Sequence, residues 1–515
     1  MTQALDLEAE LAAGAEAPKN AAADAAPAPR ADLSAVLDTE AKRTGLAKLV
    51  AQLKRAMRTL DAGETAKAAR LAMKALDTAP DNALANHVMG ICLQKLGRLS
   101  TSLTFFERAW KLDPKNPEIY LNMGMVAWKL DMLEHAEKFF RIFYEMAPER
   151  VDAAINLGGV LRDQGRFSDS IEILRAAVYA KPDQPALWNA LGTTLLEAGD
   201  PDQAGVFYEE SLRLKPDFAR AHHNLAYTLE MRGDAEAAIG HFEQALSGPD
   251  SARDRVAMTH ALSLACLTAG ELERGWSLYD VRLDPLYDDA TLYAMEPPRW
   301  DGADAAAIRG KTLLVIGEQG LGDEVLFLNT LGDVIEAVGP DGEVRVACEP
   351  RLRPLVARAF PKAVVGRHRT IAREGREIRS APELLEDGKV DLWTPMGNPA
   401  RCFRKTADAF PGAPHFAADA ERVSAFTDQL AGFGPGLKIG LLWKSLRMTA
   451  KRAKSFSAFE GWAPVLQTPG AVFVNLQYGD VDEELDAARK RFGIEIHQPE
   501  GLDLKDDLDG VAALC

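Results

Sequence analysis

"PEIYLNMGMVAWKLDMLEHAEKFFRIFYEMAPER", Pro117 to Arg150, decides the fold of the first half of this chain, because its punctuation returns every 34 residues. Prolines stand at Pro80, Pro114, Pro148, Pro182 and Pro216, and glycines at Gly90, Gly124, Gly158 and Gly192, all at that step. A third series, Gly63, Gly97, Gly165, Gly199 and Gly233, keeps the same step, with Asp131 standing once in glycine's place. Coincident series of this kind mark an internal repeat. Each has a physical task. The first glycine lets a helix A close on a helix B. The second sits in the turn between them, where positive φ is needed. The proline ends helix B, because it cannot continue the hydrogen-bond ladder. Small Ala68, Ala136, Ala204 and Ala238, and bulky Phe106, Phe140, Tyr208 and Phe242, fill fixed offsets in between.

The unit resembles the tetratricopeptide repeat (TPR). Six copies begin near residues 49, 83, 117, 151, 185 and 219, and a degenerate seventh, with "LTAGELERGWSLYD", brings the array to about 49–288. The resemblance implies an α-solenoid, a right-handed superhelix whose concave groove is lined by the A helices and binds protein. Asn122, Asn156 and Asn224 share the sixth repeat position, and Asn189 lies one residue off register. A carboxamide both donates and accepts, so such a row can hold an extended peptide backbone without reading its side chains. The TPR arrays of O-linked N-acetylglucosamine transferases carry an asparagine ladder of this kind. A solvated row without a guest is the alternative. The residues of a carboxylate clamp for chaperone tails are not evident.

Near residue 297 the beat stops. A Pro- and Gly-bearing linker (297–310) leads into Lys311–Ile316, an apolar β-branched run that reads as a buried strand. A glycine-rich turn and a helical pattern over Asp323–Val338 follow. Strands are expected at 342–348, 362–367 and 389–393, with a helix at 350–360. This alternation predicts a parallel sheet with helices on both faces, spanning 311–430. A fresh start at "LKIGLLWKS" (Leu437–Ser445) opens a second unit, 437–515, with strands at 471–480 and 493–498. The chain is therefore multidomain: a solenoid followed by two Rossmann-like units, with a ligand expected at the carboxyl ends of the strands.

The turn reads G-x-x-G-x-G-D: Gly317, Gly320, Gly322 and Asp323. It is neither the dinucleotide fingerprint nor a P-loop, which needs Gly-Lys-Ser/Thr. Glu318 and Asp323 are poor company for a pyrophosphate. Asp323 is either an ordinary helix cap or a carboxylate kept ionised by the helix dipole to act as a base.

"IGEQGLGDEVLF", with "IGLLWKS", "FVNLQYGD" and "DLKDDLDGVAAL" further on, resembles bacterial TPR-linked glycosyltransferases, the flagellin glycosyltransferases of alphaproteobacteria among them. Their catalytic half is similar to the heptosyltransferases (family 9). The resemblance implies a GT-B fold, no metal and no cofactor, and a nucleotide-sugar donor. It also implies a protein acceptor such as flagellin, a nonulosonic acid as the sugar, and Asp323 as the catalytic base. Gly317, Glu318, Gly320 and Gly322 would then form the acceptor-side loop.

"WKSLRMTAKRAKSF" supplies the donor side. Lys444, Arg447, Lys451, Arg452 and Lys454, with Ser445, follow the first strand of the second unit, and the resemblance places that loop at the donor phosphate. Cations there would stabilise charge on the leaving nucleotide; Lys444 and Lys454 are the favoured pair. A solvated basic loop is the alternative. Gln477, Tyr478 and Asp480 end the next strand and are expected to open toward the cleft. The chain stops at "DGVAALC", whereas members of the resembled family continue with a segment holding an Asp and a His, so the second unit is expected to be incomplete. Two rival readings follow: a non-catalytic TPR adaptor carrying a transferase remnant, and a transferase acting on lipid-linked sugar.

Composition narrows the rest. A formal charge of −16 argues against a nucleic-acid partner. No window is apolar enough for a membrane span, and the acidic N-terminus is not a secretory signal. Five scattered cysteines (Cys92, Cys266, Cys348, Cys402, Cys515) form no metal-binding spacing, and together these features predict a cytoplasmic protein. Residues 1–40, rich in Ala and Pro, read as a disordered tail. His222 and His223 lie on a repeat helix, in core or surface roles.

Overall fold

A computed structural model describes residues 47–248, 251–373, 376–445, 456–457 and 459–515. The chain divides into two compact units, the first up to Ala290 together with Ala372–Glu377, the second holding the remainder.

The first unit is an α-solenoid of seven helix pairs. They are α1 Ala47–Asp61 and α2 Thr65–Thr78; α3 Ala83–Lys95 and α4 Leu99–Leu112; α5 Pro117–Lys129 and α6 Leu133–Met146; α7 Val151–Asp163 and α8 Phe167–Ala180; α9 Pro185–Glu197 and α10 Pro201–Leu214; α11 Ala219–Met231 and α12 Ala235–Ser247; and α13 Ala252–Thr268 and α14 Leu272–Tyr279. Each helix packs on its sequence neighbours. The odd-numbered A helices also touch the next A helix, which puts them on the closer, inner side.

The glycine series do the work their spacing implied. A Cβ on Gly124 would lie 2.5 Å from the Phe140 ring, and one on Gly192 2.8 Å from Tyr208, so the helices approach through the missing side chain. The turn glycines take left-handed φ values, as at Gly97 (+74°), and Asp131 follows at +61°. Aspartate tolerates this region better than most residues. A further periodicity emerges that residue identity concealed. Asn86, Tyr120, Trp188 and His222 each direct a polar side-chain atom to the carbonyl of the proline six residues earlier: Pro80, Pro114, Pro182 and Pro216. Four different side chains satisfy one recurring orphan acceptor at the end of a B helix.

Residues 291–515 hold three small sheets. The largest runs in the order β4-β3-β2-β7, all parallel: β2 Thr312–Ile316, β3 Glu343–Cys348, β4 Val364–Arg367 and β7 Leu392–Pro395. The strand expected at 389–393 is set two to three residues later, because the Asp391 side chain is engaged by the Thr312 N–H (2.8 Å) just before β7 begins. The continuous helix expected over 323–338 is broken into α15 Leu321–Phe327, one 3₁₀ turn and α16 Leu331–Val338. A second sheet, β1 Leu292–Tyr293, β6 Arg376–Ser380 and β5 Arg369–Arg373 in the order β1-β6-β5, was not anticipated. Its β1 lies before the expected linker, so ordered sheet begins earlier in the chain than residue 311. The third sheet is β10-β9-β8, parallel, from β8 Leu437–Leu441, β9 Ala471–Asn475 and β10 Ile496–His497. Two helices, α17 Ala420–Gly432 and α18 Leu508–Leu514, pack on each other, with Arg422 paired to Asp507.

Candidate functional site

In open parallel sheets the carboxyl ends of the strands form the ligand mouth. At that edge β2 runs straight into Gly317–Gly320. The turn is pinned at every residue. The Gly317 N–H donates to the Ala347 carbonyl (2.8 Å). The Glu318 side chain, 1% exposed, accepts the Gly397 N–H from beyond β7. Gln319 has φ +55°, rare for a residue with a side chain, and its carbonyl accepts from Arg379. The Gly320 N–H donates to the Asp323 carboxylate at 2.9 Å. Gly322 is exposed and Asp323 half-buried.

Glu318, expected in the acceptor-side loop, does stand in this turn, but its carboxylate is buried and accepts a backbone N–H. Asp323 caps the turn as an ordinary helix N-terminus would demand. That bond occupies one of a carboxylate's roughly four acceptor positions, leaving chemistry open to the group. The residue missed by sequence reading is its neighbour. Glu324 is 1% exposed, with Oε1 3.0 Å from His368 Nε2 and Oε2 accepting the Glu349 N–H at 2.8 Å. Arg379 Nη1 lies 3.5 Å from Oε1. A carboxylate only accepts, so His368 donates through Nε2–H, and its Nδ1 faces the Thr370 hydroxyl at 3.3 Å. No sequence signal marked these partners beyond a second acidic residue beside Asp323.

On the expected donor side the picture changes more. Gln477 does not open toward a cleft: it is 1% exposed, and its Oε1 accepts the N–H groups of Trp443 (3.1 Å) and Lys444 (2.9 Å). It ties the ends of β8 and β9 together, because the ladder stops at Leu441 and Asn475 and leaves the N–H groups that follow β8 without a strand partner. The Lys444 ammonium is paired with Glu484 and donates to the Asp480 carbonyl at 2.9 Å. Burial raises the Glu484 carboxyl, but the bond from Lys444 and a backbone bond outweigh it and hold it below the usual range. Lys444 is thus not the unengaged cation a phosphate contact called for. Tyr478 and Ser445 are half-buried and Asp480 is exposed. Arg447, Lys451, Arg452 and Lys454 lie outside the described residues.

In the solenoid the four asparagines do not form an open row. Asn156 is 0% and Asn189 5% exposed, while Asn122 and Asn224 are half-buried. The cause is α7, whose small Ala153, Ala154, Gly158 and Gly159 let neighbours close in; a Cβ on Gly159 would lie 2.5 Å from Trp128. The Asn122 amide is spent on the Glu118 carbonyl (2.7 Å) and His87 Nε2 (3.0 Å), and the Asn224 amide on Asn189 Oδ1 (3.0 Å). Neither side-chain polar atom of Asn156 has a hydrogen-bond partner among the described residues. Leaving a buried donor or acceptor unpaired costs about 1–3 kcal/mol.

Family models described as tetratricopeptide repeat match residues 121–185 and 195–262. With the seven helix pairs, this makes the first unit a TPR array of the protein-interaction kind. The chain is 48% identical over 280 residues to Protein FlbA of Caulobacter vibrioides, a match covering 54% of this chain and 46% of that protein. The chain thus spans about half the length of the curated relative it matches. Among solved structures, a tetratricopeptide repeat protein from Parabacteroides merdae is 15% identical over 44% of this chain and 89% of that one, with a TM-score of 0.39. YrrB, a TPR protein with an unusual peptide-binding site, is 20% identical over 36% of this chain and 96% of that one, with a TM-score of 0.27. Among the described residues, no helix is long and apolar enough to cross a membrane.

Proposed function

We propose that the chain recruits a protein through its TPR array and transfers a sugar from a nucleotide-sugar donor to a serine or threonine hydroxyl of that protein. The observation that carries this reading is the over-determined turn at the mouth of the β4-β3-β2-β7 sheet, which presents Asp323 at the position the glycosyltransferase resemblance implies for a base. Asp323 would take the proton from the attacking hydroxyl, and a nonulosonic acid on flagellin is the substrate pair the resemblance suggests. In the array, Asn156 is the group best suited to a guest, since its unpaired carboxamide would gain two hydrogen bonds from a peptide backbone once the A helices part.

Flagellin co-produced with the protein provides the test, read by intact mass. The expected result is a mass increase that Asp323→Ala abolishes; an unchanged flagellin mass with the wild-type protein would sink the catalytic reading. Removing residues 49–288 is expected to end flagellin pull-down, and retained capture would refute recruitment by the array. The engagement of Lys444 with Glu484 favours a second reading, a non-catalytic TPR adaptor. Under it, pull-down persists while flagellin mass never changes.

A further inference from the structure

We propose that Glu324, acting with His368 and Arg379, is a positioning residue that holds the Gly317–Gly320 turn from beneath and so presents Asp323 in one geometry. Its consequence for rate rests on the transferase reading above; the geometric claim does not.

Several segments of chain converge on this carboxylate at the mouth of the sheet. Glu349, just past β3, gives it a backbone N–H, and His368, just past β4, gives it an imidazole N–H. Arg379, from β6, lies beside it and donates through its other terminal nitrogen to the carbonyl of Gln319. Gln319 is the one turn residue with a side chain in the left-handed region, and such a conformation persists only where its surroundings over-determine it. From the β2 side, Gly317 is glycine because a Cβ there would stand 2.2 Å from Glu324 Oε1. The side chains of Glu324, His368 and Arg379 are 2%, 7% and 6% exposed, so none is presented to a substrate. The cluster acts through the turn instead. Its charges also balance locally: a buried carboxylate needs a cation and hydrogen bonds, and Arg379 supplies the cation while donating to the Gln319 carbonyl, the hydrogen bonds coming from the Glu349 N–H and His368.

Glu324→Gln keeps the shape and removes the charge; Arg379→Lys keeps the charge and removes the planar fork. In the full-length protein, hydrogen–deuterium exchange over residues 317–327 reports the turn directly. Both variants are expected to speed exchange there by about tenfold, while strands 312–316 and 343–348 stay protected. With co-produced flagellin, the modification rate of Glu324→Gln is expected to fall by about 100-fold, by the same factor at low and high flagellin levels, with pull-down unchanged. Arg379→Lys is expected to fall between wild type and Arg379→Ala, a partial rescue that simple unfolding would not produce. Unaltered exchange in the turn overturns the positioning claim whatever the transfer assay shows. A loosened turn with wild-type transfer by Glu324→Gln, where Asp323→Ala is dead, overturns the link to rate and leaves the transferase reading standing. If Asp323→Ala transfers like wild type, Asp323 is not the base and the link to rate fails with it, and the exchange result alone decides the role of Glu324; if the wild-type protein leaves flagellin mass unchanged, the transferase reading itself fails.

Discussion

The two units differ in where a polar side chain finds its partner: within its own repeat or an adjacent one in the solenoid, where even Asn122 reaches only to His87 of the preceding repeat, and across separate strands in the α/β unit. In the solenoid, Asn86, Tyr120, Trp188 and His222 each satisfy a carbonyl six residues back, and the solution repeats with the 34-residue beat. In the α/β unit, Glu324 draws on Glu349 and His368, 25 and 44 positions away. Local pairing can be rebuilt in each repeat by whichever residue donates. Long-range pairing exists only once the sheet has assembled, and no single substitution replaces it. A solenoid should therefore confine damage to neighbouring repeats, and the α/β unit should spread it.

The sharpest way to break this contrast is Phe140→Ala. Phe140 is fully buried against Gly124 and Trp128, so its loss should cost about 3–5 kcal/mol by denaturant unfolding. Faster exchange should be limited to helices α3 to α8; acceleration across the whole array would contradict nearest-neighbour stability. Gln477→Leu tests the other side. It strands two buried N–H groups, and a loss of about 3 kcal/mol is expected, with exchange rising along both β8 and β9 rather than at one end.

Acidification separates the units next. Burial holds the His87 imidazole down at about 4 from an ordinary 6.5. The unfolded chain takes up its proton as pH falls through 6.5, while the folded array does so only near 4. Stability contributed by neutral His87 is thus present above 6.5 and lost on the way down, by about 2 kcal/mol at pH 5. His87→Gln should flatten that slope between pH 7 and 5; an unchanged slope would show that His87 is not its source. The bond from Arg422 holds the Asp507 carboxyl of the second unit below its usual range, so it stays ionised in both states over that interval and adds no slope. Smallest is Asp131→Gly, which relieves a left-handed φ in one turn and should stabilise the array by about 0.5 kcal/mol, read as a small rise in Tm.

Much of the solenoid was legible because its rules are local. The glycine and proline series predicted the helix pairs to within a residue or two, and even the substitution at Asp131 fits the conformation its register demanded. The donors to the proline carbonyls escaped notice because Asn, Tyr, Trp and His share a function and not an identity. Less of the α/β unit could be read. The strands β2, β3 and β4 were visible as apolar runs, but β5 and β6 lie in the basic stretch 367–380, which has no apolar alternation to betray a sheet. Glu318 and Gln477 looked like cleft residues by position. They are buried because backbone N–H groups from Gly397, Trp443 and Lys444 needed acceptors. The asparagine row was visible too, but its exposure was not: how tightly α7 is enclosed depends on Trp128, in the preceding repeat.

By itself, then, the sequence determined the repeat, its length, its turns and the parallel-strand character of the second half, since propensity, helix termination and glycine conformations act within one turn or one helix pair. Only the tertiary structure decided which carboxylates are spent and which are presented. Asp323 and Glu324 are adjacent in the chain, and nothing in the sequence shows which of them is buried. One caps the turn at the mouth of the sheet; the other is buried beneath it between a histidine and an arginine, because the helix α15 sets successive side chains about 100° apart around its axis and long-range partners wait on only one of the two sides.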